Sequence, residues 1–417
     1  MQFSRDREFS TVCVIGLGYI GLPTAATLAA AGFEVKGTDI SEHIVEELNE
    51  GRAHFSEPDL DMLVRGAVTS GNLKAYTEPQ SADAFIITVP TPIRDDKSPD
   101  MSFVEAATRS VAPVLEPGNI IMLESTSPLG ATDDMAEIIR TARPDLVDGK
   151  DLSVSIAYCP ERILPGQMVR ELVENDRIVG GVTEQDAVRA GTLYESFVRG
   201  EIHLTDAKTA ELVKLIENAY RDVNIAFANE VANIAEAHAL NPWEAISLAN
   251  RHPRVNILNP GPGVGGHCIA VDPWFLISRN AELTGLMSEA RRVNDARPAA
   301  VIAKVQERCE AEGTTKVACL GLAFKPDVDD LRESPAVEIA ITLAESGLDI
   351  CAVEPHVSVL PEELWRHDNI RLAGFDEALA KADIFVLLVG HKVFVKRAAE
   401  LEGRPIIDGV GLWGGTR

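Results

Sequence analysis

The fold is decided by the stretch TVCVIGLGYIGLPTAATLAAAGFEVKGTD, residues 11–39. It opens with an apolar run typical of a buried β-strand, passes through a glycine-rich turn into an alanine-rich helical segment, and ends with a second strand-like run. A strand, a glycine turn, a helix and a second strand form the βαβ unit of a parallel sheet. The stretch therefore predicts a doubly wound α/β domain.

The glycines of this stretch predict a dinucleotide site. Gly16, Gly18 and Gly21 form the pattern GxGxxG where the first strand meets the helix. Such glycines permit a tight turn, a close approach of a pyrophosphate to the backbone, and close packing of helix on strand. Asp39 ends the second strand, where a carboxylate accepts hydrogen bonds from a ribose diol and repels a 2′-phosphate. NAD is therefore expected rather than NADP.

The rest of the chain predicts two such domains with a helical segment between them. Strand-like runs at 84–90, 119–125 and 154–159 alternate with amphipathic stretches, which places a NAD-binding Rossmann domain at 1–205. KVACLGLAF, ESPAVEIAITLAESG and DICAVEP repeat the layout within a C-terminal domain at 301–417. The predicted fold class is α/β, with two Rossmann-like doubly wound domains joined by a central long-helix (dimerisation) region.

The central segment, residues 206–300, begins with a run whose apolar positions recur every three or four residues. Leu212, Leu215, Ile216 and Ala219 follow this spacing, which predicts a long amphipathic helix available as a dimer face.

Composition narrows the class of protein. A formal net charge of -25 argues against a nucleic-acid partner, which needs a basic surface. We expect no membrane-spanning helix and no secretory signal, since no apolar stretch is long enough and MQFSRDREFS lacks an apolar core. Six cysteines without a CxxC pair favour reduced thiols in a cytoplasmic protein. Cys13, Cys319 and Cys351 lie in strand-like runs and are expected in the core.

Cys268 is the exception, because it follows the glycine-rich run GPGVGGH at 261–267. Ordering so many glycines is costly, and we expect them to let the backbone approach a ligand. A thiolate there can add to an aldehyde, and Asp272 can act as base or position a water. A packed thiol remains the alternative. A zinc site with His267 is not favoured, because no other cluster completes the ligands, so no metal is expected.

Two pairs of polar residues have two interpretations each. Lys214 and Asn218 are spaced i, i+4, so they form either an oxyanion clamp or a solvated helix face. Lys325 and Arg332 are either phosphate or base contacts of a nucleotide-sugar, or a solvated surface pair. Gly321 lacks the other fingerprint glycines, so a second dinucleotide site is not expected.

The ordered motifs resemble the UDP-glucose/GDP-mannose dehydrogenase family, the nucleotide-sugar 6-dehydrogenases. The resemblance covers residues 11–413 and rests on GLGYIGLP, TVPTP, ESTSPLG, AYCPER, AELVKLIENAYRDVN, GPGVGGHC and AFKPDVDDLRESPA. It implies a NAD-dependent, homodimeric enzyme that oxidises the sixth carbon of a UDP-sugar twice, through a thiohemiacetal and a thioester.

The resemblance also implies roles for individual residues. Cys268 would be the nucleophile, and Lys214 with Asn218 would stabilise oxyanions. Asp272 and Thr126 would position the water, and Glu161 would assist hydrolysis of the thioester. Cofactor contacts would come from Gly16, Gly18, Tyr19, Ile20, Gly21, Asp39, Thr91, Thr126 and Arg332. Substrate contacts would come from Arg162, Ile163, Lys214, Asn218, Arg221, His252, Arg254, Gly263, Phe324 and Lys325, with Arg254 reaching across a dimer.

Within the family, RDVNIAFANE, NRHPRVNI and GPGVGGHCIAVDPWF most resemble the members that act on UDP-N-acetyl-D-mannosamine, so the resemblance implies this substrate. UDP-N-acetylglucosamine, UDP-N-acetylgalactosamine and UDP-glucose remain alternatives, since these sugars differ at few positions. Two other classes are a binding protein without oxidising activity and a hydroxyacid dehydrogenase that oxidises once. The intact catalytic set opposes the first, and the cysteine loop and second nucleotide domain oppose the other.

Overall fold

The computed structural model describes residues 8–164 and 166–413. The chain divides into two compact units. One contains the residues up to Ile216 together with Trp274–Arg279, and the other contains Glu217–Pro273 together with the residues from Asn280 onward. The three-domain division at 205 and 300 stays a prediction.

The strands are β1 (Thr11–Ile15), β2 (Glu34–Thr38), β3 (Leu73–Tyr76), β4 (Ala84–Ile87), β5 (Ile120–Leu123), β6 (Val147–Asp148), β7 (Asp151–Leu152), β8 (Ser155–Tyr158), β9 (Arg177–Gly181), β10 (Ile202–Asp206), β11 (Lys316–Leu320), β12 (Asp349–Val353), β13 (Ile370–Leu372), β14 (Ile384–Leu387) and β15 (Ile406–Asp408).

The α-helices are α1 (Gly21–Ala30), α2 (Glu42–Asn49), α3 (Leu60–Thr69), α4 (Ser102–Val111), α5 (Ala131–Ala142), α6 (Met168–Glu174), α7 (Glu184–Glu195), α8 (Ala207–Ala237), α9 (Pro242–Ala249), α10 (Asp272–Ile277), α11 (Gly285–Asp295), α12 (Arg297–Glu312), α13 (Pro335–Glu345), α14 (Glu362–Trp365), α15 (Phe375–Lys381) and α16 (Lys392–Lys396). Short 3-10 helices occupy Ala112–Val114, Pro144–Leu146 and Ala398–Leu401.

The first unit is built on an eight-stranded sheet with the order β10-β9-β8-β5-β4-β1-β2-β3. Val12 of β1 pairs with Val35 of β2 on one side and with Ala84 of β4 on the other, in parallel. Val12 and Val14 face one apolar cluster, while Cys13 and Ile15 face another, because successive side chains point to opposite faces. Both faces of this sheet are therefore covered, as the doubly wound prediction requires.

The sequence did not predict three strands of this sheet, β3, β9 and β10. β9 begins with Arg177 and ends in two glycines, and three of the five residues of β10 are exposed, so neither forms a continuous apolar run. β9 pairs antiparallel with β8, whereas β10 continues parallel to β9. The sheet is therefore mixed at this edge.

The second unit carries a five-stranded sheet with the order β13-β12-β11-β14-β15. Every pairing in it is parallel. Along the central β11, Val317 and Cys319 face one apolar cluster and Ala318 and Leu320 face another. The repeat of the α/β layout predicted for the C-terminal region is confirmed.

The long central helix is α8, with 31 residues. The boundary between the two units falls within it, after Ile216. No helix in the described part of the chain is long and apolar enough to cross a membrane. The core positions expected for Cys13, Cys319 and Cys351 are confirmed, since all three thiols are buried.

Candidate active site

The three fingerprint glycines lie between β1 and α1, and they differ in what surrounds them. A Cβ atom on Gly16 would lie 2.9 Å from the carbonyl oxygen of Thr88, and one on Gly21 would lie 1.7 Å from that of Gly16. A Cβ atom on Gly18 would have no neighbour within 4 Å. Gly16 and Gly21 are therefore required by the fold itself, whereas Gly18 borders open space at the start of a helix, where an anionic ligand is favoured.

Asp39 follows β2 and is fixed beside this turn. Its carboxylate accepts hydrogen bonds from the backbone nitrogens of Leu17 and Ser41, each at 2.9 Å. Asp39 is half-buried, so the protein does not enclose this residue completely. Open backbone at Gly18 and a held carboxylate at the end of β2 together fit the pyrophosphate and ribose of NAD.

A threonine that the sequence analysis did not single out braces the turn. Thr88 Oγ1 donates to the carbonyl oxygens of Ile15 at 3.0 Å and Gly16 at 2.7 Å. Thr88 opens the TVPTP motif directly after β4, so the motif itself was the available signal. Thr91 in this motif and Thr126 after β5 are half-buried.

Lys214 lies in the first unit and is not a solvated surface residue. The residue is 9% exposed, and its Nζ donates to the carbonyl oxygen of Glu161 at 2.9 Å. One turn earlier on α8, the buried Glu211 accepts hydrogen bonds from the backbone nitrogens of Gly130 and Thr132. These contacts anchor the ESTSPLG loop to the helix that carries Lys214.

Glu161 is buried among groups that the sequence did not reveal. Its carboxylate accepts a hydrogen bond from the backbone nitrogen of Arg162 at 2.8 Å and pairs with Arg177 Nη1 at 2.5 Å. Glu124 and Tyr194 belong to the same buried cluster, where the Tyr194 hydroxyl donates to Glu124 at 2.7 Å. Burial raises the pKa of Glu124 to about 7, helped by Glu161 and opposed by Arg177.

In the second unit, α8 and the cysteine loop meet through Asn218 and Asp272. Asn218 Nδ2 donates to Asp272 Oδ2 at 2.5 Å. Both residues are buried, Asn218 being 6% exposed and Asp272 2% exposed. The backbone nitrogen of Asp272 also donates to the carbonyl oxygen of Cys268 at 2.8 Å. Cys268 is exposed, whereas the other five cysteines are buried. The alternative of a packed thiol at Cys268 is therefore wrong.

The glycines before Cys268 make room for the chain itself. Cβ atoms on Gly263 and Gly266 would lie 2.7 Å from side-chain atoms of Pro335 and Phe324, and one on Gly265 would lie 2.5 Å from the carbonyl oxygen of Glu333. Gly263 and Gly266 also have positive φ angles of 154° and 82°. At these three positions the loop backbone packs closely against the 324–335 segment. The sequence had predicted a close approach of this backbone to a ligand instead.

A cavity of about 420 Å³ lies in the second unit beside this contact. It is lined by Gly263, Phe324 and Lys325 together with residues that follow β14 and β15. The ammonium of Lys325 lies 5.6 Å from the centroid of the Phe324 ring. Arg332 is exposed and makes a two-pronged contact with Asp330, at 2.9 and 2.7 Å. Lys325 therefore lines a cavity rather than a flat surface.

The remaining candidates vary in accessibility. Tyr19, Arg221, His252 and Arg254 are exposed, and Ile20, Arg162 and Ile163 are half-buried. The guanidinium of Arg162 donates to the carbonyl oxygen of Asp176 at 2.6 Å. The ring of Tyr19 packs at 4.4 Å from that of Phe55.

Family models match nearly the whole chain in three consecutive segments. Residues 10–198 match the NAD binding domain, residues 208–296 the central domain and residues 318–414 the UDP binding domain. The chain belongs to the UDP-glucose/GDP-mannose dehydrogenase family. The expected resemblance is confirmed, as is NAD as the cofactor of this family member.

Individual relatives are similar over full length. The chain is 52% identical to an NDP-N-acetyl-D-galactosaminuronic acid dehydrogenase of Ralstonia nicotianae, which covers 100% of this chain and 99% of that protein. It is 51% identical to the UDP-N-acetyl-D-mannosamine dehydrogenase of Yersinia pestis, and this match covers 97% of this chain and 100% of that protein. The structure of a UDP-D-ManNAc dehydrogenase from Pyrococcus horikoshii is similar with a TM-score of 0.86, 38% identity and 96% coverage of both chains.

Family membership makes the chain a NAD-dependent nucleotide-sugar dehydrogenase. The glycine turn and Asp39 lie within the segment that matches the NAD binding domain, and Lys325 lies within the segment that matches the UDP binding domain. Lys214, Asn218 and Cys268 lie within the match to the central domain.

Proposed function

We propose that this chain oxidises the sixth carbon of UDP-N-acetyl-D-mannosamine twice, giving UDP-N-acetyl-D-mannosaminuronate. The observation that carries the proposal is the exposed Cys268, which stands beside the buried Asn218–Asp272 pair in a chain 51% identical to a UDP-N-acetyl-D-mannosamine dehydrogenase. A thiol nucleophile serves no purpose in a single alcohol oxidation, but it retains an aldehyde for a second one.

NAD, when bound, supplies the hydride acceptor for each of the two oxidations. The Cys268 thiolate adds to the aldehyde carbon, forming a C–S bond and a thiohemiacetal, which the second oxidation converts to a thioester. Lys214 and Asn218, four residues apart on α8, stabilise the negative oxygen in these steps. Water then attacks the thioester, the C–S bond breaks, and the thiolate is restored. Asp272 and Thr126 position that water, and Glu161 assists the hydrolysis.

Binding roles are proposed on the same basis. For the cofactor they fall to Gly16, Gly18, Tyr19, Ile20, Gly21, Asp39, Thr91, Thr126 and Arg332. For the substrate they fall to Arg162, Ile163, Lys214, Asn218, Arg221, His252, Arg254, Gly263, Phe324 and Lys325. The cavity beside Lys325 supports the uridine end of the substrate there.

UDP-N-acetyl-D-galactosamine is a second candidate substrate. The relative from Ralstonia nicotianae, whose name refers to N-acetyl-D-galactosaminuronic acid, is 52% identical and thus no more distant than the mannosamine enzymes. Both sugars would require the same cysteine chemistry, so the choice concerns only how hydroxyl and acetamido orientations are recognised.

A panel of UDP-sugars tests the function. Purified protein with NAD should form two NADH per molecule of UDP-N-acetyl-D-mannosamine, and mass spectrometry should find the uronic acid. One NADH per sugar would contradict the thioester route. A higher kcat/KM for UDP-N-acetyl-D-galactosamine would transfer the proposal to that substrate.

We further propose a cytoplasmic homodimer formed through α8. Ile216, Tyr220, Phe227 and Ile234 on this helix are 43% to 63% exposed. Their spacings of four, seven and seven residues place them along one side of the helix, as an interface requires. Light scattering should give twice the chain mass of 45.0 kDa, and Phe227→Glu should shift the protein towards the monomer, with the exposed Glu230→Gln as control.

A further inference from the structure

A buried polar cluster surrounds the carboxylate of Glu161. Glu124 directly follows β5, Arg177 opens β9, and Tyr194 lies on α7. All four side chains belong to residues that are at most 7% exposed. Buried charges are costly unless they are paired, so the pairing within this cluster determines where its charges reside.

The cluster holds two carboxyl groups but one guanidinium. Arg177 Nη1 pairs with Glu161, and Arg177 Nη2 donates to the carbonyl oxygen of Leu172 at 3.1 Å. One oxygen of Glu124 accepts from Tyr194. Within the described residues, the other oxygen of Glu124 and the Nε atom of Arg177 are buried and have no hydrogen-bond partner. An acceptor and a donor are thus both left over in one cluster, although buried groups are nearly always paired.

We propose that Glu124 is a positioning residue that competes with Glu161 for the guanidinium of Arg177. When Glu124 is neutral, Arg177 holds the Glu161 carboxylate, as in this structure. When Glu124 is ionised, it draws Arg177 towards itself and releases Glu161 to accept the proton of the water that attacks the thioester. Glu124 takes no part in bond making. The inference rests on the proposed role of Glu161 in hydrolysis.

The surroundings of Glu124 put this change near neutral pH. Burial raises its pKa to about 7, the negative charge of Glu161 adds to the rise, and Arg177 and the Tyr194 hydroxyl oppose it. Burial also raises the pKa of Cys159 to about 12 and that of Tyr194 well above 10, so both stay neutral over the same range. Glu124 is therefore protonated below about pH 7 and ionised above it, and hydrolysis of the thioester should accelerate as the pH rises.

The direct measurement is the decay of the thioester on Cys268. UDP-N-acetyl-D-mannosamine is mixed with an excess of enzyme in the presence of NAD, and samples are quenched in acid at intervals. Intact-protein mass spectrometry then measures the fraction of enzyme that carries the thioester. Between pH 6 and 8 the decay rate of the native enzyme should rise about tenfold, since the ionised fraction of one group grows about tenfold over that range. In the Glu124→Gln variant, whose amide imitates the neutral carboxyl group, the thioester should decay at the low-pH rate over the whole pH range.

Two further variants separate this role from a general loss of structure. Tyr194→Phe removes a hydrogen bond that lowers the pKa of Glu124, so the midpoint of the rise should move to higher pH. Glu116→Gln changes an exposed glutamate outside the cluster and should keep the midpoint near 7. If Glu124→Gln fails to fold, the Tyr194→Phe shift decides.

A rise that persists in Glu124→Gln, or its absence in the native enzyme, would overturn the inference. An unmoved midpoint in Tyr194→Phe would count against it equally. The NADH formed by the native enzyme in the same runs tests the proposed function separately, whatever the pH profile shows.

Discussion

The side-chain amide of Asn218 donates a 2.5 Å hydrogen bond to the carboxylate of Asp272, which lies 54 residues further along the chain. The contact joins the long helix α8 to the segment that carries Cys268. Both groups are buried, so water cannot readily take the place of this hydrogen bond if either side chain is removed.

Asn218→Ala should therefore damage both stability and catalysis. Leaving a buried carboxylate with one donor fewer costs roughly 1–3 kcal/mol in the free energy of unfolding. Turnover should fall more than the KM for UDP-sugar changes, because the proposed clamp acts on the developing oxyanion. Urea denaturation and steady-state kinetics measure the two effects. Glu230→Ala, an exposed change on the same helix, should alter neither, and an unaffected Asn218→Ala enzyme would refute the prediction.

Alkylation should find one reactive thiol in the native protein. Cys268 is exposed while the other five cysteines are buried, and burial protects a thiol from iodoacetamide. Intact-mass spectrometry should show a single carbamidomethyl group and complete loss of acid formation. Cys268→Ser should take up no label under the same conditions. Labelling of that variant to the same extent would show that another cysteine is accessible.

The glycine turn offers a matched pair of substitutions. Gly21→Ala would place a methyl group 1.7 Å from the carbonyl oxygen of Gly16, so the turn must distort, with a loss of several kcal/mol. Gly18→Ala meets nothing within 4 Å, so the protein should fold normally but bind NAD more weakly. Thermal melts with and without NAD separate the two effects. Equal melting temperatures for the two variants without NAD would contradict the assignment.

Asp39 should set the preference for NAD over NADP. Removing the carboxylate in Asp39→Ala takes away its repulsion of a 2′-phosphate and its hydrogen bonds to the ribose, worth about 1.5–3 kcal/mol. The ratio of kcat/KM for NAD to that for NADP should fall by roughly ten- to a hundredfold. Glu34→Gln, at the exposed start of the same strand, is the control and should preserve the ratio. A preserved ratio in Asp39→Ala would exclude this role.

Glu124 should make the stability of the protein depend on pH. Its pKa is about 7 in the folded chain against an ordinary value of 4.5 for a glutamate side chain, so the folded state keeps a proton that the unfolded state loses. The stabilisation is fully present below about pH 4.5 and is lost as the pH rises to about 7, a change of roughly 3 kcal/mol.

Urea denaturation at pH 5 and pH 8 measures that change. The loss of stability between the two pH values should be smaller in Glu124→Gln than in the native protein, because the amide cannot ionise. The exposed Glu116→Gln should behave like the native protein. An identical loss in native protein and Glu124→Gln would show that Glu124 does not retain its proton.

Much of the fold could be predicted from local sequence. The turn at Gly16–Gly21 is recognised by the spacing of its glycines. The strands β1 and β2 and the 31-residue α8 are recognised by the spacing of their apolar residues. β9 was missed because it begins with an arginine and ends in two glycines, which leaves only a short apolar run. β10 was missed because three of its five residues are exposed and it has no continuous apolar run. Such strands are specified by their neighbours in the sheet rather than by their own pattern.

By itself, the sequence determined the chemical inventory: a glycine turn with a carboxylate for NAD, a thiol outside the core, and a lysine and an amide one turn apart. Only the tertiary structure decided what those groups face. It placed the loop glycines against Phe324 and Pro335, paired Asn218 with Asp272, and set Glu161 against Arg177. These partners are distant in the chain, so their pairing follows from desolvation and close packing, which no local pattern encodes.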